Sequence, residues 1–60
     1  MLAEDILVVD DESDIRELLT DILKEEGYSV RACADGVSAL KTVSERVPSL
    51  VVLDIWLQDS

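Results

Sequence analysis

Three short apolar segments divide the chain, and each predicts a β-strand. The first and third, residues 6–9 and 50–53, are uninterrupted runs of Ile, Leu and Val, which are typical of parallel strands that are covered on both faces. In residues 28–32, apolar and polar side chains alternate, which indicates a strand with one solvated face. We therefore place the first strand at the centre of a sheet and the second at an edge.

A first helix is predicted between residues 13 and 27 because apolar side chains recur there every three or four positions. These apolar positions are Ile15, Leu18, Leu19, Ile22 and Leu23. The polar residues between them, Arg16 included, are expected to face away from the sheet. Ser13 or Asp14 is suited to cap the amino end of this helix, and Gly27 is suited to end it.

A second helix is predicted between the second and third strands. Asp35 is a suitable amino-terminal cap, and Pro48 prevents the helix from continuing into the third strand. The apolar positions that should be buried against the sheet are Val37, Leu40, Val43 and Val47.

This alternation of strands and helices predicts an α/β fold with a parallel βαβαβ sheet and right-handed crossovers. With the second strand at the edge, the strand order is 2-1-3, and the two helices cover opposite faces. In such sheets the ligand site lies beyond the carboxyl ends of the strands, where the winding reverses. Here that position lies between the first and third strands.

Composition narrows the classes of function. The 60 residues suffice for one small domain, and the net charge of −9 with only five basic residues argues against contact with nucleic acid or an anionic membrane. No apolar run is long enough for a membrane span, and no basic leader is present, so we expect a cytoplasmic protein. The chain has no His, and Cys33 is alone, which predicts a small buried side chain in place of a disulfide.

Acidic residues follow the first and third strands directly. Asp10 and Asp11 end the first, and Asp54 ends the third, so their carboxylates should converge at the predicted ligand site. At 4 to 5 Å separation, each pair would cost roughly 3 to 4 kcal/mol at an effective dielectric constant of about 20. A bound cation would relieve this repulsion, and carboxylates without His or Cys favour Mg²⁺ over softer metals.

The alternative is that these acids are solvated strand ends. The agreement between the predicted topology and the charge pattern favours the metal site. Glu12 could assist a metal or lie outward at the start of the loop. For Glu4 and Asp5, which precede the first strand, solvated side chains are the better interpretation.

The segments ILVVDDESDIRELL, ADGVSAL and PSLVVLDIWL together resemble the receiver domain of two-component response regulators, in order and in spacing. The resemblance implies a flavodoxin-like fold in which residues 1–60 form the amino-terminal half of an incomplete domain. It also implies a regulatory phosphoacceptor that is not an enzyme, has a sensor histidine kinase as its partner and controls transcription through an output domain outside this segment.

The resemblance assigns roles to individual residues. Asp54 would be the phosphoacceptor, and Asp11 and Asp54 would bind Mg²⁺ directly. Asp10 would act mainly through a bound water, and the backbone carbonyl of Trp56 would complete the protein ligands. Chemically this is phosphoryl transfer by positioning and charge neutralisation, with a carboxylate as nucleophile.

The sequence also departs from the family pattern. The hydroxyl residue and the lysine that follow the fourth and fifth strands of receivers have no counterpart here, since Lys24 and Lys41 fall in predicted helices. Residues 55–58 read IWLQ, where many receivers place Met-Pro at the last two positions. This variant resembles the nitrogen-response regulators of the NtrX type, which activate transcription.

Two other functions remain open from the sequence. One is a phosphatase-like hydrolase with Asp54 as nucleophile, although such enzymes usually have a second acid two residues later, where this chain has Trp56. The other is an interaction or dimerisation module without phosphoacceptor activity. Because residues 50–53 would form an open apolar edge, we also expect a homodimer or a higher assembly.

Overall fold

The structure is a computed structural model that describes residues 4–54. Its elements, in chain order, are β1 (Asp5–Asp10), α1 (Ser13–Glu25), β2 (Ser29–Cys33), α2 (Gly36–Glu45) and β3 (Leu50–Asp54). Both the α/β class and the order of elements are those that the sequence predicts. Among the described residues, no helix has the length and apolar character that crossing a membrane requires.

The three strands form one parallel sheet in the order β2-β1-β3, which confirms the predicted 2-1-3 arrangement. Ile6 in the central strand pairs in register with Val30 of β2 and with Leu50 of β3. The four apolar residues 6–9 are all buried and form the core. Since successive side chains of a strand point to opposite faces, both faces of β1 are covered, and both helices contact it.

The carboxyl end of α1 forms the predicted glycine stop. Gly27 has a φ of +95°, which is a left-handed conformation that glycine adopts without a steric penalty. The backbone N–H of Gly27 donates to the carbonyl of Lys24 over 3.0 Å, and the N–H of Tyr28 donates to the carbonyl of Leu23 over 3.2 Å. These two bonds make a Schellman motif, which pairs carbonyls that the helix itself leaves free.

The amino ends of the two helices differ. The cap of α1 is Glu12, which makes no side-chain capping bond, so the prediction of Ser13 or Asp14 as the cap is wrong. Both residues lie inside the helix, because the helical conformation already begins at Ser13. At α2, the prediction is confirmed: the carboxylate of Asp35 accepts a hydrogen bond from the N–H of Ser38 over 2.8 Å.

The prediction that the apolar stripe of α2 is buried is largely wrong. Val37, Leu40 and Val47 are about three-quarters exposed or more, and only Val43 is half-buried. The stripe of α1 is also covered only in part, with Leu18 and Ile22 about half exposed. The physical reason is the width of the sheet, since three strands with one buried strand among them offer too little apolar surface to cover two helices.

Candidate functional site

The carboxyl ends of β1 and β3 lie side by side. Asp10 and Asp54, the last residues of the two strands, are partners in the parallel register, and neighbouring strands are about 4.8 Å apart. Asp11 follows Asp10 at the same end of the sheet. The structure describes only the backbone of Asp54, and Trp56 lies outside the described residues, so the predicted roles of their side chain and carbonyl are still predictions.

Asp10 is a buried acid with one satisfied and one unsatisfied oxygen. The residue is only 2% exposed to solvent. Oδ1 accepts a hydrogen bond from the backbone N–H of Glu12 over 2.9 Å, whereas Oδ2 is buried and has no hydrogen-bond partner among the described residues. Since an unpaired buried polar atom is costly, this oxygen is suited to a ligand that comes from outside the chain, and a hard cation fits it chemically.

The other two acids of this loop are exposed. Asp11 and Glu12 both have solvent-accessible side chains. Among the side chains that the structure describes, no group of three or more metal-binding residues forms a ready site. The side chain of Asp54, the third predicted member, is not among the described side chains. The described residues therefore do not test the predicted metal site.

Arg16 lies next to this loop and was missed as a site residue. Its Nη1 donates a hydrogen bond to the backbone carbonyl of Asp10 over 2.9 Å, and its side chain is half-buried, not solvated as predicted. A signal was available, because Arg16 is in the first turn of a helix that begins directly after the acidic loop. Arginine at that position can reach back to the end of the strand.

The positive charge of Arg16 also affects Cys33, the last residue of β2. Burial raises the pKa of the Cys33 thiol, the nearby Asp35 carboxylate raises it further, and the positive charge of Arg16 acts in the opposite direction. Cys33 is a free thiol and is half-buried, so it is less buried than the sequence predicts. It is the last residue of an edge strand, where the sheet offers less cover.

A second acid lies at the opposite end of β1. Asp5 accepts hydrogen bonds from Nη2 of Arg31 over 2.6 Å and from Nε of Arg46 over 3.0 Å. Its side chain is 18% exposed, which contradicts the expectation of a solvated residue before the strand. Arg31 also donates to the backbone carbonyls of Thr42 and Arg46. We call Asp5, Arg31 and Arg46 the arginine cluster.

The arginine cluster changes the acidity of Asp5. Burial raises the pKa of Asp5, but the hydrogen bonds and positive charges of Arg31 and Arg46 together outweigh burial, and the pKa lies below its ordinary value of 3.8. Arg31 was expected on the solvated face of the edge strand. It is half-buried instead, because its acceptors come from β1 and from the end of α2.

Comparisons with known proteins agree with the resemblance in the sequence. Residues 6–60 match the family described as Response regulator receiver domain. The nitrogen assimilation regulatory protein NtrX of Azorhizobium caulinodans is 52% identical over 59 residues, which are 98% of this chain and 13% of that protein. The regulatory protein VanRc of Enterococcus gallinarum is 43% identical over 58 residues, which are 97% of this chain and 25% of that protein.

A solved structure is similar as well. The crystal structure of NtrX from Brucella abortus superimposes with a TM-score of 0.87 and is 56% identical, covering 98% of this chain and 13% of that one. The present chain thus spans about an eighth of the length of the NtrX relatives that it matches. The predicted similarity to regulators of the NtrX type is confirmed by these matches.

Proposed function

The chain belongs to the response regulator receiver family, and we propose that it acts in two-component signalling with Asp54 as the residue that accepts the phosphoryl group. A sensor histidine kinase would be the donor. The carboxylate of Asp54 would attack the phosphorus of a phosphohistidine, so that an O–P bond forms as the N–P bond breaks and the imidazole leaves. One observation carries this proposal. Buried Asp10 has an Oδ2 without a hydrogen-bond partner among the described residues, and Asp10 is the residue that pairs in register with Asp54.

We further propose that Asp10, Asp11 and Asp54 hold Mg²⁺, together with the backbone carbonyl of Trp56. Bound Mg²⁺ would supply neutralisation of the charge on the phosphoryl group and on the surrounding acids. The oxygen donors suit a hard cation, and the unsatisfied Oδ2 of Asp10 supports the fit. The chain itself would keep the side chain of Asp10 buried from solvent and fixed in position, while the exposed Asp11 remains accessible to the incoming ion.

The remaining parts of the function belong to a longer protein in this proposal. Residues 1–60 would be the amino-terminal half of a receiver, and an output domain elsewhere would control transcription in the cytoplasm. We propose that this segment does not touch nucleic acid. Three of its five basic residues already serve internal contacts: Arg31 and Arg46 bind Asp5, and Arg16 binds the carbonyl of Asp10.

The test is phosphorylation of the longer protein that contains this segment. With Mg²⁺ and a small phosphodonor, the unchanged protein should gain one phosphoryl group, and Asp54→Asn should gain none. Asp5→Asn is the matched control, because it removes an acid at the other end of the same strand and should leave phosphorylation intact. Intact-protein mass spectrometry measures both. Phosphorylation of Asp54→Asn at the normal level would contradict the assignment.

The 60-residue chain alone should behave differently. We propose that it takes up phosphate poorly or loses it quickly, because the hydroxyl and the lysine that read the phosphoryl group in receivers are not among its residues. The same mass measurement over time checks this. Stable phosphorylation of the isolated chain would show that these additional residues are dispensable.

We also propose that this chain associates with itself through β3. Within residues 4–54, β3 has a neighbouring strand on one side only, and Leu50, Val51 and Leu53 are exposed. An open edge of this kind presents unpaired backbone groups to a second strand. A two-fold antiparallel pairing centred on Val52 would close on itself and would set each Asp54 opposite Leu50 of the other copy, so that the acidic ends stay apart.

Sedimentation at micromolar concentration tests this association. A dimer or a larger assembly is expected, and Val52→Lys should dissolve it because a charge then lies in the pairing edge. Ser44→Lys, which adds the same charge on the exposed side of α2, is the matched control and should leave the assembly intact. A compact monomer of 6.6 kDa would overturn the proposal.

A further inference from the structure

Arg16 connects the first turn of α1 to the acidic end of β1. Its backbone N–H donates to the carbonyl of Glu12 over 2.9 Å and so closes the first helical turn. Its backbone carbonyl accepts a hydrogen bond from the hydroxyl of Thr20 over 2.7 Å. With the backbone held in the helix, the half-buried guanidinium reaches back to the carbonyl of Asp10. The arginine therefore joins two elements that are separated by the acidic loop.

The carbonyl that Arg16 holds has a special place in the chain. It belongs to the peptide unit that joins Asp10 to Asp11, and a peptide unit is a rigid plane. Fixing this plane constrains the ψ angle of Asp10 and the φ angle of Asp11 together. One hydrogen bond from Arg16 thus acts on the direction of two neighbouring carboxylates, while the N–H of Glu12 holds Oδ1 of Asp10.

We propose that Arg16 is a positioning residue of the metal site, which orients Asp10 and Asp11 by holding the peptide between them. This inference rests on the proposed function, since it assumes that the acids bind Mg²⁺. Arg16 itself does not touch the metal. The arrangement gives a physical reason for a cationic side chain beside a site that is proposed to bind a cation.

Positioning and simple electrostatics predict opposite results when Arg16 is removed. By Coulomb's law, a positive charge near the acids weakens the binding of a cation, so its loss should tighten binding. If Arg16 positions the acids, its loss frees the peptide and weakens binding. The direction of the change therefore separates the two roles without reference to its size.

The experiment is a titration of the chain with MgCl₂, followed by the fluorescence of Trp56, the only tryptophan, and by calorimetry. Arg16→Met removes both the charge and the hydrogen bond, and we expect its Mg²⁺ affinity to fall about tenfold. Arg16→Lys keeps the charge and a donor and should recover most of the affinity. Lys24→Met, which removes the same charge from the last turn of α1, should change the affinity less than about twofold.

The outcomes distinguish this inference from the proposed function. If the unchanged chain binds no Mg²⁺, both fall. If it binds Mg²⁺ and Arg16→Met binds it equally or more tightly, only the positioning role is overturned. Circular dichroism shows whether each variant is folded. Should Arg16→Met fail to fold, Arg16→Gln replaces it, because its amide ends two bonds short of Nη1, and the same weakening is expected.

Discussion

At the amino end of β1, Asp5 accepts hydrogen bonds from two arginines, whereas at the carboxyl end Asp10 keeps one oxygen without a partner among the described residues. Both residues are aspartates, and they are the first and last residues of β1. Asp10 is the more deeply buried of the two, yet it is the less completely paired. Burial alone therefore does not explain where the chain has placed its counter-charges.

The difference indicates two separate roles. Buried acids are normally paired, because an unpaired one is costly. The arginine cluster meets this rule and ties β1, β2 and the end of α2 together. The acidic end departs from it, and such departures concentrate at functional positions. We interpret the arginine cluster as structural and the acidic end as a site that an external cation completes.

The largest expected effect is the loss of Mg²⁺ binding when the acidic end is changed. Asp11→Ala should abolish binding, because it removes a proposed direct ligand, whereas Glu12→Ala should have a small effect. Asp5→Asn should leave the affinity unchanged, since Asp5 lies at the other end of the strand. Titration with MgCl₂ measures all three. Equal binding by the Asp11 and Glu12 variants would contradict the site assignment.

The arginine cluster should respond in stability and not in metal binding. Arg31→Met leaves Asp5 with Arg46 as its arginine donor and removes the side-chain donor to the carbonyls of Thr42 and Arg46. It should lower the free energy of unfolding by about 2 to 3 kcal/mol. Arg46, whose side chain is 63% exposed, makes a surface ion pair, and Arg46→Met should cost less than about 1 kcal/mol. Urea melts compare them. Equal losses from the two variants would show that the burial of Arg31 does not matter.

A smaller effect should appear in acid. The pKa of Asp5 is lowered in the folded chain, so its stabilising contribution is complete above the ordinary value of 3.8 and is lost as the pH falls below that value through the folded pKa. Asp35 follows the same rule, because hydrogen bonds from Ser38 lower its pKa. In urea melts between about pH 5 and pH 2, the free energy of unfolding should fall less steeply with decreasing pH for Asp5→Asn than for the unchanged chain.

Local pattern was enough to predict the elements and their order. The apolar run at residues 6–9, the helical spacing in α1 and the glycine at position 27 each depend on near neighbours in the chain. Once β2, the second strand in the chain, is placed at an edge of the sheet, the rules for parallel sheets bring Asp10 and Asp54 together at one end. The structure has these two residues in register. The position of the candidate site therefore followed from topology.

Side-chain partners were harder to predict. Arg31 and Asp5 are 26 residues apart, and no periodicity relates them, so both were expected in solvent. The hydrogen bond of Arg16 depends on how closely α1 begins after the loop, which pattern does not fix. The exposure of Val37 and Leu40 depends on how much of the sheet is present to cover them. Each case is a property of three-dimensional contacts and not of local spacing.

The most direct test of this account is the free energy of unfolding of Asp10→Asn, measured in urea with and without Mg²⁺. Without Mg²⁺ the variant should be more stable than the unchanged chain by about 1 to 3 kcal/mol, because it removes a buried charge whose Oδ2 has no partner among the described residues. With saturating Mg²⁺ this advantage should disappear or reverse. An Asp10→Asn chain that is no more stable without the metal would contradict the claim that the acidic end is held ready for a cation.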